Sequence, residues 1–298
     1  MKKIVVIAGP TAVGKSALAV LLARCFNGEV ISADSRQVYK GLDIGSGKIT
    51  KKEMKGVAHH LLNVIHPQKQ FTVAEFKNLA QENIDGIRTR GKLPIVVGGT
   101  GLYIDALLGE VLIPEVPPNQ ELRKQLEKKS TETLFVMLRE IDPRRAQTID
   151  RHNPRRLIRA IEIARTLGKV SPKPQTTNYS LPAALRIGLS LPAEDLKRRI
   201  SIRLFARISR GMVSEVERLH QQGLSWKRLY ELGLEYRYVS RYLRGLMTKD
   251  EMNEKLKTEI WHYAKRQMTW WKRDKRIKWF LPTEKTKIVA TVKRFLLS

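Results

Sequence analysis

The chain of 298 residues has one cysteine, Cys25. That excludes an internal disulfide and any zinc site built from several cysteines. Cys25 falls in an apolar stretch and is expected in the core. No apolar run reaches the roughly 20 residues needed to cross a bilayer. Acidic residues are scarce: 29 against 56 lysines and arginines, a net charge of +27. Such an imbalance fits a polyanionic partner, with nucleic acid first and an anionic membrane surface second. An apolar run begins within the first residues, so neither a signal nor a transit peptide is expected. The expected location is reducing and cytoplasmic. The chain contains neither an internal repeat nor a low-complexity tract.

What is present begins with phosphate chemistry. In "IAGPTAVGKSAL" (7–18), Gly9, Gly14, Lys15 and Ser16 fit the spacing G-x-x-x-x-G-K-[ST]. The apolar run "KKIVVI" precedes it and "ALAVLLARCF" follows, the strand–turn–helix context that the motif requires. Gly9, Pro10, Thr11, Ala12, Val13, Gly14, Lys15 and Ser16 are therefore the candidate phosphate loop. Such a turn aims backbone N–H groups at a phosphate, and the helix N-terminus adds positive potential. Lys15 reaches terminal oxygens, and the Ser16 hydroxyl suits a magnesium ion. The loop does not identify what the phosphates are attached to, and ATP is the default.

Two further apolar runs, in "GEVISADS" (28–35) and "KLPIVVGGTG" (92–101), read as strands. Between them Val73, Phe76, Leu79, Ala80, Ile84 and Ile87 recur at helical spacing, with Gly91 as a C-terminal stop. Strands alternating with helices predict an α/β fold with a P-loop NTPase-like parallel sheet. Ligands then bind beyond the carboxyl ends of the strands, where the loop at 9–16, Asp34–Ser35 and the glycines of 98–101 collect. Around "IPEVPPN" (113–119) the pattern becomes helical and rich in arginine. One more strand-like run, "LRIGLSL" (185–191), precedes a basic helical C-terminal part. The expected organisation is a discontinuous core, 1–112 and 190–298, interrupted by a helical insertion, 113–189.

Charge is concentrated on faces. Leu196, Ile200, Leu204, Ile208, Met212 and Val216 recur every four residues and predict one buried helix stripe. Arg199, Arg203 and Arg207 recur on a neighbouring face, with no acid between Lys197 and Arg210. The stripe reads either as a solvated face or as a phosphate clamp, since guanidinium forks suit phosphate. Residues 139–159 hold seven arginines, and residues 255–279 hold nine Lys or Arg interleaved with tryptophans. Basic residues can track a nucleic-acid backbone while aromatics stack on bases. Trp270 and Trp271 fall on different helix faces, so at most one is free for stacking. His59 and His60 read as polar contacts in a loop rather than metal ligands, because no other ligand lies nearby at the right spacing. Asp34 suits either a general base or a helix cap.

Together these stretches resemble the tRNA dimethylallyltransferase (tRNA isopentenyltransferase) family. The resemblance is carried by "GPTAVGKS" (9–16), "ISADSRQVYKGLDIGSGK" (31–48), "HHLL" (59–62), "FTVAEF" (71–76) and "VVGGTGLYIDALL" (97–108). It continues through "DPRRAQTID" and "NPRRLIRAIEI" (142–163), "RISIR" (199–203) and "AKRQMTW" (264–270). It implies a monomeric enzyme that uses Mg²⁺. The loop at 9–16 would hold the diphosphate of dimethylallyl diphosphate rather than ATP. The dimethylallyl group would pass to the N6 amine of the adenosine 3′ to the anticodon of tRNA, and the insertion would contact the anticodon stem-loop. The implied catalytic residues are Asp34, Thr100 and Arg203, with Ser16 on the metal. The implied tRNA contacts are Asp34, Ser35, Arg36, Gln37, Thr100, Arg123, Arg155, Arg156, Leu157, Ile158 and Arg159. This chain departs from the family pattern at Gly47, Ile49, 165–172 and 233–237, all expected to lie away from the loop, Asp34 and Thr100. A P-loop kinase also explains the loop but accounts poorly for the charge, and a non-catalytic RNA-binding NTPase remains a third reading, with no N-K-x-D sequence for guanine recognition to support a GTPase.

The basic excess has a direct consequence. Affinity for tRNA is expected to fall steeply as salt rises, because many cations displace counterions condensed on the phosphates. Titrations across a salt series measure the slope, and a flat line would place binding away from the basic faces.

Overall fold

The β-branched run at the N-terminus forms strand β1 (Lys3–Ala8), buried from Ile4 onward. In the computed structural model, which describes residues 3–168 and 183–298, a turn carries β1 into helix α1 (Lys15–Cys25) and strand β2 (Gly28–Ser32). Next come the short α2 (Lys51–Met54) and β3 (His59–His60), then α3 (Val73–Thr89), β4 (Leu93–Val97) and α4 (Gly101–Leu107). Four helices follow: α5 (Gln120–Leu126), α6 (Thr131–Ile141), α7 (Pro143–Thr148) and α8 (Pro154–Leu167). The chain then forms β5 (Ala183–Leu189), α9 (Ala193–Ser209), α10 (Met212–Gln221), α11 (Trp226–Leu232) and α12 (Leu234–Leu243). It ends with α13 (Lys249–Trp271), β6 (Lys278–Phe280) and α14 (Lys285–Leu297).

The strands pair in the order β3-β2-β4-β1-β5-β6, every pair parallel. The expected α/β fold with a parallel sheet is present. β1 lies inside it, with Val5 opposite Ile95 on one side and Leu185 on the other. One face packs on α1, α9, α10, α12 and α13 through residues such as Leu22, Leu204, Val216, Tyr236 and Leu256. The other packs on α3 and α4 through Phe76, Ile84, Tyr103 and Ile104. Thr72 starts α3 with a capping box to Glu75, and Thr248 does the same for α13 with Glu251.

The described residues fall into two compact units: residues 3–109 with 183–298, and residues 110–168. Residues 169–182, part of the expected insertion and of the departure at 165–172, lie outside the described residues. The smaller unit has its own core of Leu126, Leu134, Leu138, Leu157 and Ile161. Asn119, Ser130, Asp142 and Asn153 each cap one of its helices by accepting a backbone N–H. Among the described residues no helix is long and apolar enough to cross a membrane.

Several expectations are corrected. The apolar stripe from 196 to 216 belongs to two helices, because Gly211, at φ 95°, breaks the chain between α9 and α10. Ile208 is then only partly buried. The region after 193 is not wholly helical: β6 extends the sheet beside β5. The histidine pair forms strand β3, where His60 lies 2.7 Å from the Glu29 carboxylate and His59 faces the Val57 carbonyl. Cys25 is exposed, since α1 ends there and its buried side is Leu18, Ala19, Leu22 and Ala23. The limit of at most one free tandem tryptophan holds: Trp271 is buried, and Trp270 donates to Asp105 at 3.0 Å.

Candidate active site

The carboxyl end of β1 opens into a cavity of about 1300 Å³. Gly9 stands at φ 138°, and a Cβ there would lie 2.5 Å from the Leu189 carbonyl oxygen, so only glycine lets the loop pass β5. Gly14, at φ 106°, starts α1 without any side-chain cap, and no acid sits in the first turn. The first N–H groups of α1 are therefore available to an anion. Lys15 Nζ donates to the Pro10 carbonyl at 2.6 Å, and exposed Ser16 also lines the cavity.

Helix α9 presents arginines to this loop. Arg203 donates to Thr11 Oγ1 and to the Gly47 carbonyl, both at 3.2 Å. Arg199 reaches the Val13 carbonyl at 3.4 Å. Arg207, the third member of the stripe, does other work. It is buried, donates to the Gly45 carbonyl at 2.7 Å and pairs with Glu235 at 2.8 Å. Arg199 and Arg203 are thus the members of the stripe that meet the loop, while Arg207 is a structural ion pair whose acid comes from α12.

Two of these cations are held away from their ordinary protonation. Burial pushes the Lys15 ammonium down to about 7; the Arg203 charge adds to the effect and the Asp34 carboxylate opposes it. Burial and the Arg207 charge lower Arg203 to about 10, against Glu235 and Asp34. Among the described residues neither group has a carboxylate within ion-pair distance, and a bound polyphosphate would supply a close anion.

The loop over residues 42–48 is shaped by one carboxylate. Glu215 on α10 is 1% exposed. It accepts the N–H groups of Asp43 at 3.0 Å, Ile44 at 2.6 Å and Gly45 at 2.9 Å, and the Tyr236 hydroxyl at 2.9 Å. Burial, with Glu215 beside it, pushes the Tyr236 phenol well above its ordinary range, so it stays protonated and donates. Lys48 closes the same loop through the Tyr39 carbonyl, Asp43 and Asn63. The departures at Gly47 and 233–237 are therefore not remote from the loop chemistry. Gly47 holds Arg203 through its carbonyl, while Glu235 and Tyr236 hold Arg207 and Glu215.

The turn after β2 carries Asp34, Ser35, Arg36 and Gln37. Asp34 Oδ1 accepts the N–H groups of Arg36 at 2.8 Å and Gln37 at 3.3 Å, so one oxygen caps a turn, not a helix. Asp34 and Gln37 both line the cavity. Thr100 occupies the N-cap position of α4 but makes no cap bond; its Oγ1 accepts the Ser35 N–H at 3.2 Å. That leaves the hydroxyl proton of Thr100 free to donate.

The smaller unit holds the other expected contacts, and they divide sharply. Arg155 and Arg156 are exposed at the start of α8. Leu157 and Ile158 are 0% and 7% exposed and belong to that unit's core, so their side chains contribute packing rather than a binding surface. Arg123 and Arg159 both pair with buried Glu162, which also accepts the Asn119 N–H. Burial works against the Glu162 charge, yet these donors hold its carboxyl below the usual range.

Sequence reasoning passed over two residues of α13. Tyr263 and Gln267 line the cavity one turn apart. Burial raises the Tyr263 phenol above its ordinary range, and the Asp34 charge adds to this. Gln267 interrupts the buried stripe of Met252, Leu256, Ile260, Ala264 and Trp271. A polar side chain in an apolar stripe was the available signal.

The chain is similar to known proteins along almost its whole length. The family described as IPP transferase matches residues 37–274, and that described as isopentenyl transferase matches residues 2–71. A tRNA dimethylallyltransferase of Anoxybacillus flavithermus is 43% identical over 289 residues, 96% of this chain and 92% of that protein. One from Thermomicrobium roseum is 41% identical, over 95% of this chain and 87% of that protein. The full-length tRNA isopentenylpyrophosphate transferase of Bacillus halodurans superposes with a TM-score of 0.73 at 35% identity, covering 98% of this chain and 96% of that one. A eukaryotic dimethylallyltransferase acting on tRNA gives 0.75 at 30% identity, covering 91% of this chain and 70% of that one.

The lowered Lys15 ammonium makes a measurable difference. It is expected to lose its proton as pH rises through about 7, where ordinary lysines stay charged until about 10.4. Acylation across a pH series, mapped by mass spectrometry, should therefore label Lys15 with a midpoint near neutrality. Inorganic pyrophosphate should suppress that labelling by restoring the proton and covering the amine.

Proposed function

This chain belongs to the IPP transferase family, and from that premise we propose that it transfers a dimethylallyl group from dimethylallyl diphosphate to tRNA. The acceptor in this reading is the N6 amine of the adenosine 3′ to the anticodon. The observation that carries it is one cavity lined both by a cationic phosphate loop and by the Asp34 turn. A transferase onto an amine needs both; a kinase can use the same pair, so the choice between them rests on the family.

The roles follow from the chemistry. The adenine amine is a weak nucleophile, because its lone pair is delocalised into the ring. The allylic carbon–oxygen bond breaks with its electron pair going to the diphosphate, and the amine lone pair forms the new carbon–nitrogen bond. Lys15, Arg203, Arg199 and the loop N–H groups take up the charge that develops on the leaving diphosphate. Thr100 donates its hydroxyl proton to the oxygen of the breaking bond. Asp34 has one oxygen fixed by the Arg36 and Gln37 N–H groups. Its other oxygen accepts the proton that the amine loses. The adenosine leaves its stack in the anticodon loop to reach the cavity. Exposed Arg155 and Arg156 offer phosphate contacts to the anticodon stem-loop, and Arg123 and Arg159 shape the unit that carries them. The protein works as a monomer in this reading.

Magnesium fits as a metal bound mainly through substrate. Among the described residues no three His, Cys, Asp or Glu side chains gather into a metal cage. The Ser16 hydroxyl lines the cavity at the start of α1, and a single protein oxygen with waters and diphosphate oxygens suits Mg²⁺. When bound, the ion neutralises part of the diphosphate charge.

Incubation with unmodified tRNA, dimethylallyl diphosphate and Mg²⁺, followed by nucleoside mass analysis, tests the reading. The expected product is an adenosine heavier by one dimethylallyl group. Unmodified tRNA, together with tight ATP binding and no diphosphate binding, would overturn it. Asp34→Asn is expected to slow single-turnover transfer about 10²–10⁴-fold, the usual cost of losing a general base. Diphosphate affinity should be nearly unchanged. Near-normal turnover, or recovery at high Mg²⁺, would remove Asp34 from proton transfer.

A further inference from the structure

Gln267 sits where the two halves of the cavity meet. Its side chain is buried, and both ends of the amide are used. Oε1 accepts the Thr11 N–H of the phosphate loop at 2.8 Å. Nε2 donates to the Gly99 carbonyl, in the turn after β4, at 2.9 Å. The partners fix the amide's orientation, since one is a donor and the other an acceptor. Glutamate could accept from Thr11 but could not donate to Gly99, and it would set a negative charge beside a phosphate site. A leucine would leave both backbone groups without a partner.

The geometry points to Gln267 as a positioning residue: it sets the phosphate loop at a fixed separation from the Gly98–Thr100 turn. This inference rests on the transferase reading above. The diphosphate is held by one of these loops. Thr100 follows directly from the other, and Asp34 is tied to it, because the Ser35 N–H bonds Thr100 Oγ1 and the Thr100 N–H bonds the Ala33 carbonyl. The amide therefore governs the distance between the breaking bond and the groups that receive the nucleophile. It governs diphosphate affinity much less, because Lys15 and the N–H groups opening α1 do not touch it.

Gly99 supplies an independent handle. A Cβ on Gly99 would overlap Gln267 Nε2, while the other neighbours, Gln267 Cδ and the Tyr263 hydroxyl, stay at 3.5 and 3.8 Å. Gly99 does not lie in the left-handed region, so alanine is acceptable to the backbone there. Gly99→Ala should therefore act through one contact, by pushing the Gln267 amide off its partners. Gln267→Ala removes the amide and makes room for the methyl group.

The test compares the wild type with G99A, Q267A, Q267L and the double variant G99A/Q267A. Transfer to tRNA is measured under single-turnover conditions, and binding of inorganic pyrophosphate by calorimetry. All four variants should lose at least about tenfold in transfer rate, the scale expected when reacting groups are misplaced. Pyrophosphate affinity should stay within about threefold, because ground-state binding is not where the amide acts. The double variant should be no slower than Q267A, since both changes remove the same bridge. Four results would overturn the proposal: normal transfer by Q267L; affinity and rate falling together; multiplicative losses in the double variant; or recovery of wild-type rate in the double variant, which would make Gln267 a space-filler. Should Q267L fail to fold, G99A decides alone, by the presence or absence of the split between rate and affinity. A wild-type protein that transfers nothing to tRNA would instead fail the functional reading on which this rests.

Discussion

The buried carboxylate of Glu215 is the constraint from which the site's geometry follows. Three successive N–H groups, from Asp43 to Gly45, converge on it, with the Tyr236 hydroxyl as a fourth donor. A peptide that turns its N–H groups inward must present its carbonyls elsewhere. Here the carbonyls of Gly45 and Gly47 meet Arg207 and Arg203. One acid on α10 thus sets where the arginines of α9 come to rest, without touching either. An unsatisfied buried donor costs about 1–3 kcal/mol, so the loop has little freedom to rearrange around the carboxylate.

The same arrangement explains why the strongly positive charge of the chain does not simply repel itself at the cavity. Arg207 is neutralised by Glu235, and Lys48 by Asp43. Among the described residues Arg203 and Lys15 have no such ion-pair partner, and both are displaced from their ordinary protonation. The cations that build the loop over residues 42–48 are paired, and among the described residues Lys15 and Arg203, which line the cavity, form no ion pair. In the proposed reading an entering polyphosphate would meet the Arg203 charge and would draw a proton back onto Lys15, in a setting that screens charge less than bulk water does.

Local signals were legible in the sequence, and long-range ones were not. The strand–loop–helix of residues 3–25 could be read because spacing, glycine positions and apolar runs agree. The helix over 73–89 carries its capping residues in sequence. By contrast, β3 and β6 are two and three residues long, too short for any periodicity to register. The four-residue apolar period continues across Gly211, so only the backbone turn shows that α9 has ended. The acid that pairs Arg207 lies 28 residues further on, which made the arginine stripe look free of acid. Leu157 and Ile158 stand beside exposed arginines in the chain, yet helix geometry turns them into the core. Asp34 was open between base and cap, and the structure assigns one of its oxygens to capping the turn.

The sheet's strand order bears on how the chain comes to be folded as it is synthesised. β1, the strand that launches the phosphate loop, makes its longest pairing with β5, six residue pairs from Lys3–Ala183 to Ala8–Gly188. Until β5 has emerged from the ribosome, one edge of β1 stays open, with unpaired backbone groups and an apolar surface. The helices of residues 120–167 need only neighbours close in sequence, and such local contacts form fastest. The intervening helices, whose contacts are local, are therefore expected to form before the second edge of β1 is covered. A nascent chain stalled before residue 183 would carry an exposed parallel edge, the kind of surface that recruits chaperones or aggregates.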